Sequence, residues 1–388
     1  MTFPHATLII THVTDNFNFH PVWVDTIPKF DGMLAELLKE PVVAVDTESN
    51  SLHAYREQVC LIQFSTPECD FLIDPLAKMD IHPLGDLFSS NTVEKIFHAA
   101  EYDIICLRRD FGFTFQNIFD TMQAARILGR EKLSLGDQVE AEFGLKLDKH
   151  NQKADWAQRP LKVSMQTYAC LDTHYLISLR EKMIGQLQQR GLVELAEEDF
   201  KRLCESSAND DHKPLYIQVR GYQELGSRQL AVLNELCAYR DRRARLINQP
   251  HFKVVSNQAL LAIAQICPKN EHDLQKIEEL PLRLFERHAD GLLKAVWVGL
   301  QAQPIVLPHW QRPDGRLLNR LEHLKTWRKQ TADAMQVLSD VILPRDILEE
   351  IASQNPQALS SLQTIMISIP WRFAHFGVEI LNVIKEKK

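Results

Sequence analysis

The chain has 388 residues, enough for two or three domains of about 100–200 residues each. Its 45% hydrophobic and 24% charged residues are those of an ordinary globular protein, and no apolar run approaches the ~20 residues a membrane helix needs. Seven cysteines without a C-x-x-C pair argue against a disulfide framework and against a zinc site. The opening MTFPHATLIITH has no basic region, and its apolar stretch is too short for a signal peptide, so a cytoplasmic protein without membrane attachment is expected. The net charge of −7 is unevenly spread. Residues 1–200 carry 18 Lys+Arg against 30 Asp+Glu, whereas residues 201–388 carry 26 against 21.

In chain order, short apolar runs predict strands at 7–11, 41–47, 59–65, 69–74 and 94–98. The closeness of the second and third predicts a hairpin-like antiparallel pairing. Helical periodicity is expected at 31–39, 84–89, 102–111, 121–128 and 134–143, then in one long amphipathic helix over 163–190. Alternating strands and helices indicate an α/β layer fold. The polar SSANDDHKP reads as a linker, and beyond it strand signals disappear. Two helical blocks follow, about 223–301 and 317–385. Each has an aromatic-Arg pair in its first helix, an extended connection and a leucine-rich second helix ending in Pro, which suggests a duplicated module.

Three segments carry candidate chemistry. VAVDTE is an apolar strand running into Asp46 and Glu48, which share one face because strand side chains alternate. Such a pair supplies hard oxygen ligands at a sheet edge for a divalent cation. KIFHAAEYD places Asp103 in the first turn of a helix that follows a strand. In YACLD, Tyr168 and Asp172 lie four apart on one helix face, amid apolar Leu171, Tyr175 and Leu176. Each segment alone has an ordinary structural explanation: solvated strand ends, a helix-dipole acid, an exposed helical aspartate. His98 reads as a satisfied strand-end histidine.

In order and spacing the set resembles the tyrosine-bearing branch of the DEDD exonuclease superfamily. VCLIQFST, GLKLDK, DWAQRPL and YACLDTHYL further resemble the ribonuclease D family, and the helical blocks resemble HRDC modules. One departure is Ser49-Asn50, where bacterial members often have an aromatic residue. The resemblance implies an RNase H-like α/β exonuclease domain at 1–205, with a mixed sheet flanked by helices. A linker at 206–222, an HRDC domain at 223–302 and a second, diverged HRDC-like domain at 312–385 would follow. It implies Asp46, Glu48, Asp103 and Asp172 as ligands of two divalent metal ions, Mg²⁺ or Mn²⁺, and Tyr168 as the phenol that orients water. The expected reaction is 3′→5′ removal of 5′-monophosphates from RNA with a free 3′ end, tRNA precursors above all. The alternatives are a DNA-directed exonuclease of the same superfamily and a non-catalytic binding scaffold.

Because the front half is acidic, attraction for RNA is expected from the back half. Arg240, Arg242, Arg243 and Arg245 are the candidates in the first block, and Lys325, Arg328 and Lys329 repeat them more weakly in the second. Trp156 reads as core packing at least as well as a base-stacking platform. On this reading, removal of 206–388 weakens substrate binding more than it slows the chemical step.

Overall fold

The computed structural model describes residues 21–207, 214–307 and 314–385. The strand expected at 7–11 and residues 208–213 of the expected linker lie outside the described residues. The chain forms two compact units: one gathers 21–48, 59–207 and 314–385, the other 49–58 and 214–307. Residues 214–222 of the expected linker instead pack into the second unit, with Val219 buried in its core.

The first unit opens with β1 (Val22–Val24), α1 (Ile27–Leu37), β2 (Val42–Ser49), β3 (Val59–Ser65) and β4 (Asp70–Ile73). It continues with α2 (Leu84–Ser89), β5 (Glu94–Phe97), α3 (Glu101–Phe111), β6 (Ile118–Asp120), α4 (Thr121–Ile127) and α5 (Leu135–Phe143). Then come α6 (Val163–His174), α7 (Leu176–Gln189) and α8 (Val193–Cys204). The sheet order is β1-β4-β3-β2-β5-β6. β2, β5 and β6 run parallel, with Ala44 beside Ile96 and Ile96 beside Phe119. β4 is parallel to β1 and antiparallel to β3. This is the mixed α/β sheet the sequence indicates. The antiparallel hairpin is formed by β3 with β4, and β2 lies beside β3.

β3 is buried throughout because both of its faces are covered. Val59, Ile62 and Phe64 join a core with Phe88 and Leu107, while Cys60 and Leu61 pack with Trp156, Ala169 and Cys170. Trp156 is 1% exposed, so it is core. β1 and β6, three residues each, are too short to leave a readable pattern. α8 has a strong apolar face that the sequence reading passed over. The single helix expected at 163–190 is two helices meeting at Tyr175. Thr173 donates to the carbonyl of Cys170 at 3.3 Å and meets Ser65 Oγ at 2.7 Å. A hydroxyl bonded back to its own helix bends it, so α6 follows β3 and β4 while α7 turns onto α4 and β5.

The second unit contains α9 (Ser227–Leu246), α10 (His251–Val254), α11 (Asn257–Ile266), α12 (Glu271–Gln275) and α13 (Leu282–Gln301). Arg240 is 4% exposed and donates to the carbonyl of Val255 and to Asn257 Oδ1 at 3.1 and 2.7 Å. Its expected role at an RNA surface is therefore corrected: it braces the connection after α9. Arg245 is exposed but engaged, donating to the Tyr55 hydroxyl at 3.2 Å and lying 5.4 Å over that ring. Tyr55, from segment Ser49–Gln58 of the same unit, donates to Asp241 Oδ1 at 2.7 Å. Arg242 is exposed and Arg243 half-buried.

α14 (Gly315–Met335), α15 (Ser339–Ile342), α16 (Arg345–Gln354), α17 (Leu359–Ile365) and α18 (Pro370–Lys385) repeat this arrangement but belong to the first unit. Arg328 donates to the carbonyl of Leu343 as Arg240 does to Val255, each reaching 15 residues ahead. The aromatic-Arg pair is thus a signature of the module's own packing, and Arg328 is bracing too. Residues of α14 to α18 share one continuous apolar core with Phe119, Leu179, Leu195 and Phe200. Arg190 donates to the carbonyls of Met335 and Gln336 at 2.7 and 3.1 Å, and Gly129 leaves no room for a Cβ against that Gln336 carbonyl. Arg372, wholly buried, donates to Glu198 at 2.9 Å and to Asp199 at 2.9 Å.

Truncation at 206 therefore strips part of the catalytic unit's own core, and its effect is not confined to substrate binding. Arg372→Ala removes the ion-pair partner of buried Glu198 and half-buried Asp199 and is expected to cost about 3 kcal/mol in urea unfolding of the full chain. A loss below about 1 kcal/mol would show the ion-pair network to be incidental.

Candidate active site

Parallel pairing sends the carboxyl ends of β2, β5 and β6 the same way. Asp46, Thr47 and Glu48 close β2; His98 and the turn into α3 follow β5; Asp120 ends β6. β2 is an inner strand, so the expected placing of Asp46 and Glu48 at a sheet edge is corrected to the end of a central strand. Crevices beyond the carboxyl ends of strands are where α/β sheets generally bind ligands. α6 delivers Tyr168 and Asp172 to the same place. The cleft so formed has a volume of about 300 Å³ and is also lined by His98, Lys149 and Gln152.

Asp46, Glu48 and Asp172 each offer an oxygen within 4.8 Å of the other two. Asp103 stands outside that trio. Its carboxylate accepts a short 2.5 Å hydrogen bond from Thr47 Oγ1, yet it is near enough to raise the pKa of Asp46, Glu48 and Asp172. Burial, followed by the negative charge of neighbouring acids, pushes Asp46 well above the usual carboxylate range and Glu48 to about 9. Asp103 and Asp172 rise to about 7, mainly by burial. The Tyr168 hydroxyl donates to Asp172, and burial beside these acids raises its pKa too. It is a neutral donor. His98, driven down to about 4 by burial, is an uncharged ring with Nδ1 2.9 Å from Thr121 Oγ1.

Asp120 was missed by the sequence reading. Fully buried, it accepts hydrogen bonds from the backbone N–H groups of Ala100 at 2.6 Å and Gln123 at 2.8 Å. It therefore caps α4 and fixes the turn into α3, where Ala99 takes a positive φ of 65°. An acid directly ahead of an apolar helix is the N-cap signal that could have revealed it.

Residues 21–188 match the family described as 3′-5′ exonuclease, and residues 229–296 and 318–384 each match the HRDC domain. Ribonuclease D of Nitrobacter hamburgensis is 30% identical over 365 residues, covering 91% of this chain and 92% of that protein. The chain belongs to the ribonuclease D family. It is an enzyme of that type, a 3′-5′ exonuclease carrying two HRDC domains. Among solved structures, the catalytic core of Trypanosoma brucei RRP6 superposes with a TM-score of 0.62 at 28% identity, covering 74% of this chain and 82% of that one. Escherichia coli RNase D, at 23% identity, shares the fold with a TM-score of 0.71 over 95% of this chain and 99% of its own. No helix among the described residues is long and apolar enough to cross a membrane.

The raised acids make the cation-free site sensitive to pH in a definite direction. Carboxyls whose folded pKa exceeds the unfolded value hold extra protons in the native state. Their stabilisation is complete below about pH 4 and is lost as pH rises through about 7 for Asp103 and Asp172 and about 9 for Glu48. Thermal unfolding with chelator is thus expected to fall by several degrees between pH 5 and pH 8, relative to a variant with all four acids amidated. Mg²⁺ or Mn²⁺ should restore more at pH 8 than at pH 5. Equal metal stabilisation at both pH values would contradict this electrostatic account.

Proposed function

We propose that this exonuclease shortens RNA from the 3′ end and releases one 5′-monophosphate at a time. On this reading Asp46, Glu48, Asp103 and Asp172 hold two divalent cations, Mg²⁺ or Mn²⁺, and Tyr168 orients the attacking water. The observation that carries the proposal is the convergence of three carboxylates within 4.8 Å beside a protonated phenol. An all-oxygen donor set matches hard cations, and carboxyls this crowded need positive charge to ionise together. When bound, such cations activate water and offset charge on the leaving 3′-oxygen.

The chain's own residues do the rest. Thr47 fixes the Asp103 carboxylate, and Asp120 holds the turn from which Asp103 projects. Asp172 accepts from Tyr168 and so sets the direction of the phenol. Burial beside the acids raises the pKa of Tyr168, so it is read as positioning water by hydrogen bonding and not as removing its proton. His98, neutral at physiological pH, offers the cleft a hydrogen-bonding ring without adding charge. RNA is preferred over DNA because the curated relatives spanning nearly the whole chain are ribonucleases D. The substrate class we favour is structured RNA with a single-stranded 3′ tail, such as tRNA precursors, acted on in the cytoplasm. Residues 1–205 are read as the catalytic domain, completed by the helices of 314–385. Arg242 and Arg243 remain candidates for phosphate contact.

The test uses 5′-labelled RNA with a short 3′ tail, and a matched DNA strand, in Mg²⁺ or Mn²⁺. Wild type is expected to give a ladder receding from the RNA 3′ end, abolished by chelator and by Asp46→Asn. Faster digestion of the DNA would favour the DNA-directed reading, and a ladder surviving Asp46→Asn would sink the assigned site. Tyr168→Phe should lower kcat by about 10²-fold while leaving RNA affinity in chelator unchanged; parallel losses in both would refute an orienting role.

A further inference from the structure

Between α5 and α6, residues 144–162 form neither helix nor strand, yet they lead directly into the helix that carries Tyr168. Irregular backbone keeps one shape only where its polar groups and side chains are fixed by partners. Arg159 supplies that fixing. Its Nε and Nη2 donate to the two oxygens of Asp74, just past β4, at 2.7 and 2.6 Å. Nη2 also donates to the carbonyl of Cys60 in β3 at 2.6 Å, and Nη1 to the carbonyls of Trp156 and Gln158 at 2.8 and 2.7 Å. Every N–H of the guanidinium is thereby engaged, and its plane lies 5.6 Å over the Trp23 ring of β1. One side chain ties three strands to the approach to α6.

Trp156, whose carbonyl is one of those acceptors, is 1% exposed. Its indole packs with Leu61 and Leu72 of the sheet and with Met165 and Ala169 of α6. The ring centroid stands 6.0 Å from that of Tyr168, with the planes inclined at 38°. Tyr168 is half-buried, and the indole forms part of its inner wall. A long side chain on a helix has two open χ1 wells, and contact with an immovable ring selects between them. Trp156 Nε1 meets no acceptor among the described residues, so what the indole supplies is shape.

We infer that Arg159 and Trp156 are positioning residues: the guanidinium clamp fixes the indole, and the indole holds the Tyr168 phenol in its working direction. This rests on the reading of Tyr168 as the group that orients water, and adds what keeps that phenol on target. Alignment at a reacting centre is costly to lose, since a misplacement of ~1 Å can slow a step about 100-fold. Lysine in place of Arg159 would keep the positive charge but not the planar fork that grips a carboxylate and three carbonyls together.

Single-turnover digestion of 5′-labelled RNA by saturating full-length protein in Mg²⁺ tests it, with each variant made in two backgrounds. Arg159→Lys and Trp156→Phe should each slow the step about 10-fold in the wild-type background, with RNA affinity in chelator held within about 2-fold. In a Tyr168→Phe background there is no hydroxyl to misdirect, and each should cost less than about 2-fold. A merely structural role would subtract equally from both backgrounds. Rates are taken per folded molecule, below the thermal transition of each variant. Should Arg159→Lys fail to fold, Trp156→Phe decides alone, because it removes no side-chain hydrogen bond. Equal losses in both backgrounds, full rate in either folded variant, or a loss of affinity in place of rate overturns the clamp. A Tyr168→Phe protein as fast as wild type removes instead the orienting reading beneath it.

Discussion

Carboxylates gathered in a half-buried cleft oppose one another, and that repulsion is the constraint around which the catalytic unit is built. Each ionised acid raises the cost of ionising the next, and burial multiplies the effect by removing water. Asp46, Glu48 and Asp172 stay within reach of one another because rigid elements leave them no alternative. Parallel strands fix the direction of two, α6 fixes the third, and Asp120 locks the approach to Asp103 through backbone hydrogen bonds. The site carries destabilisation that protons or cations must relieve, so the surrounding core must supply the margin.

Part of that core comes from the duplicated helical module. The two copies keep the same internal brace, an arginine reaching the carbonyl 15 residues ahead, and differ in what their outer faces do. The second copy has merged with the nuclease, with its apolar residues in one cluster with those of α7 and α8 and Arg372 sealed into an ion-pair network. The first copy keeps a separate core and leaves Trp297 facing solvent. Duplication thus left one copy merged into the nuclease core and one with a core of its own.

Much of this was legible in the sequence. Inner strands with apolar runs, such as β2 and β3, and the acids at their ends stand out because burial and period leave a local pattern. The order of Asp46, Glu48, Asp103, Tyr168 and Asp172 was readable only through its resemblance to the tyrosine-bearing DEDD exonucleases. What escaped depends on partners distant in the chain. Nothing near Arg240 shows that its guanidinium is spent on Val255 and Asn257, so it looked like a phosphate contact. The break at Tyr175 follows Thr173, whose hydroxyl bonds back to Cys170 and meets Ser65, 108 positions away. β6 was too short to show periodicity, and with it Asp120 was lost. The union of the second helical module with the nuclease is invisible locally, because α14 to α18 read as amphipathic helices whichever core they join.

A core that runs from Ala44 to Ile384 also has a temporal meaning. Chains emerge from the ribosome in order, at about 5–20 residues per second. By that rate α18 follows β2 by roughly twenty seconds to a minute. Throughout that interval the strand that carries Asp46 and Glu48 lacks the helices that close its unit, and apolar faces of α7 and α8 wait uncovered. The catalytic unit becomes whole only when its last helix is free, so the length of translation itself sets the earliest moment of a finished nuclease.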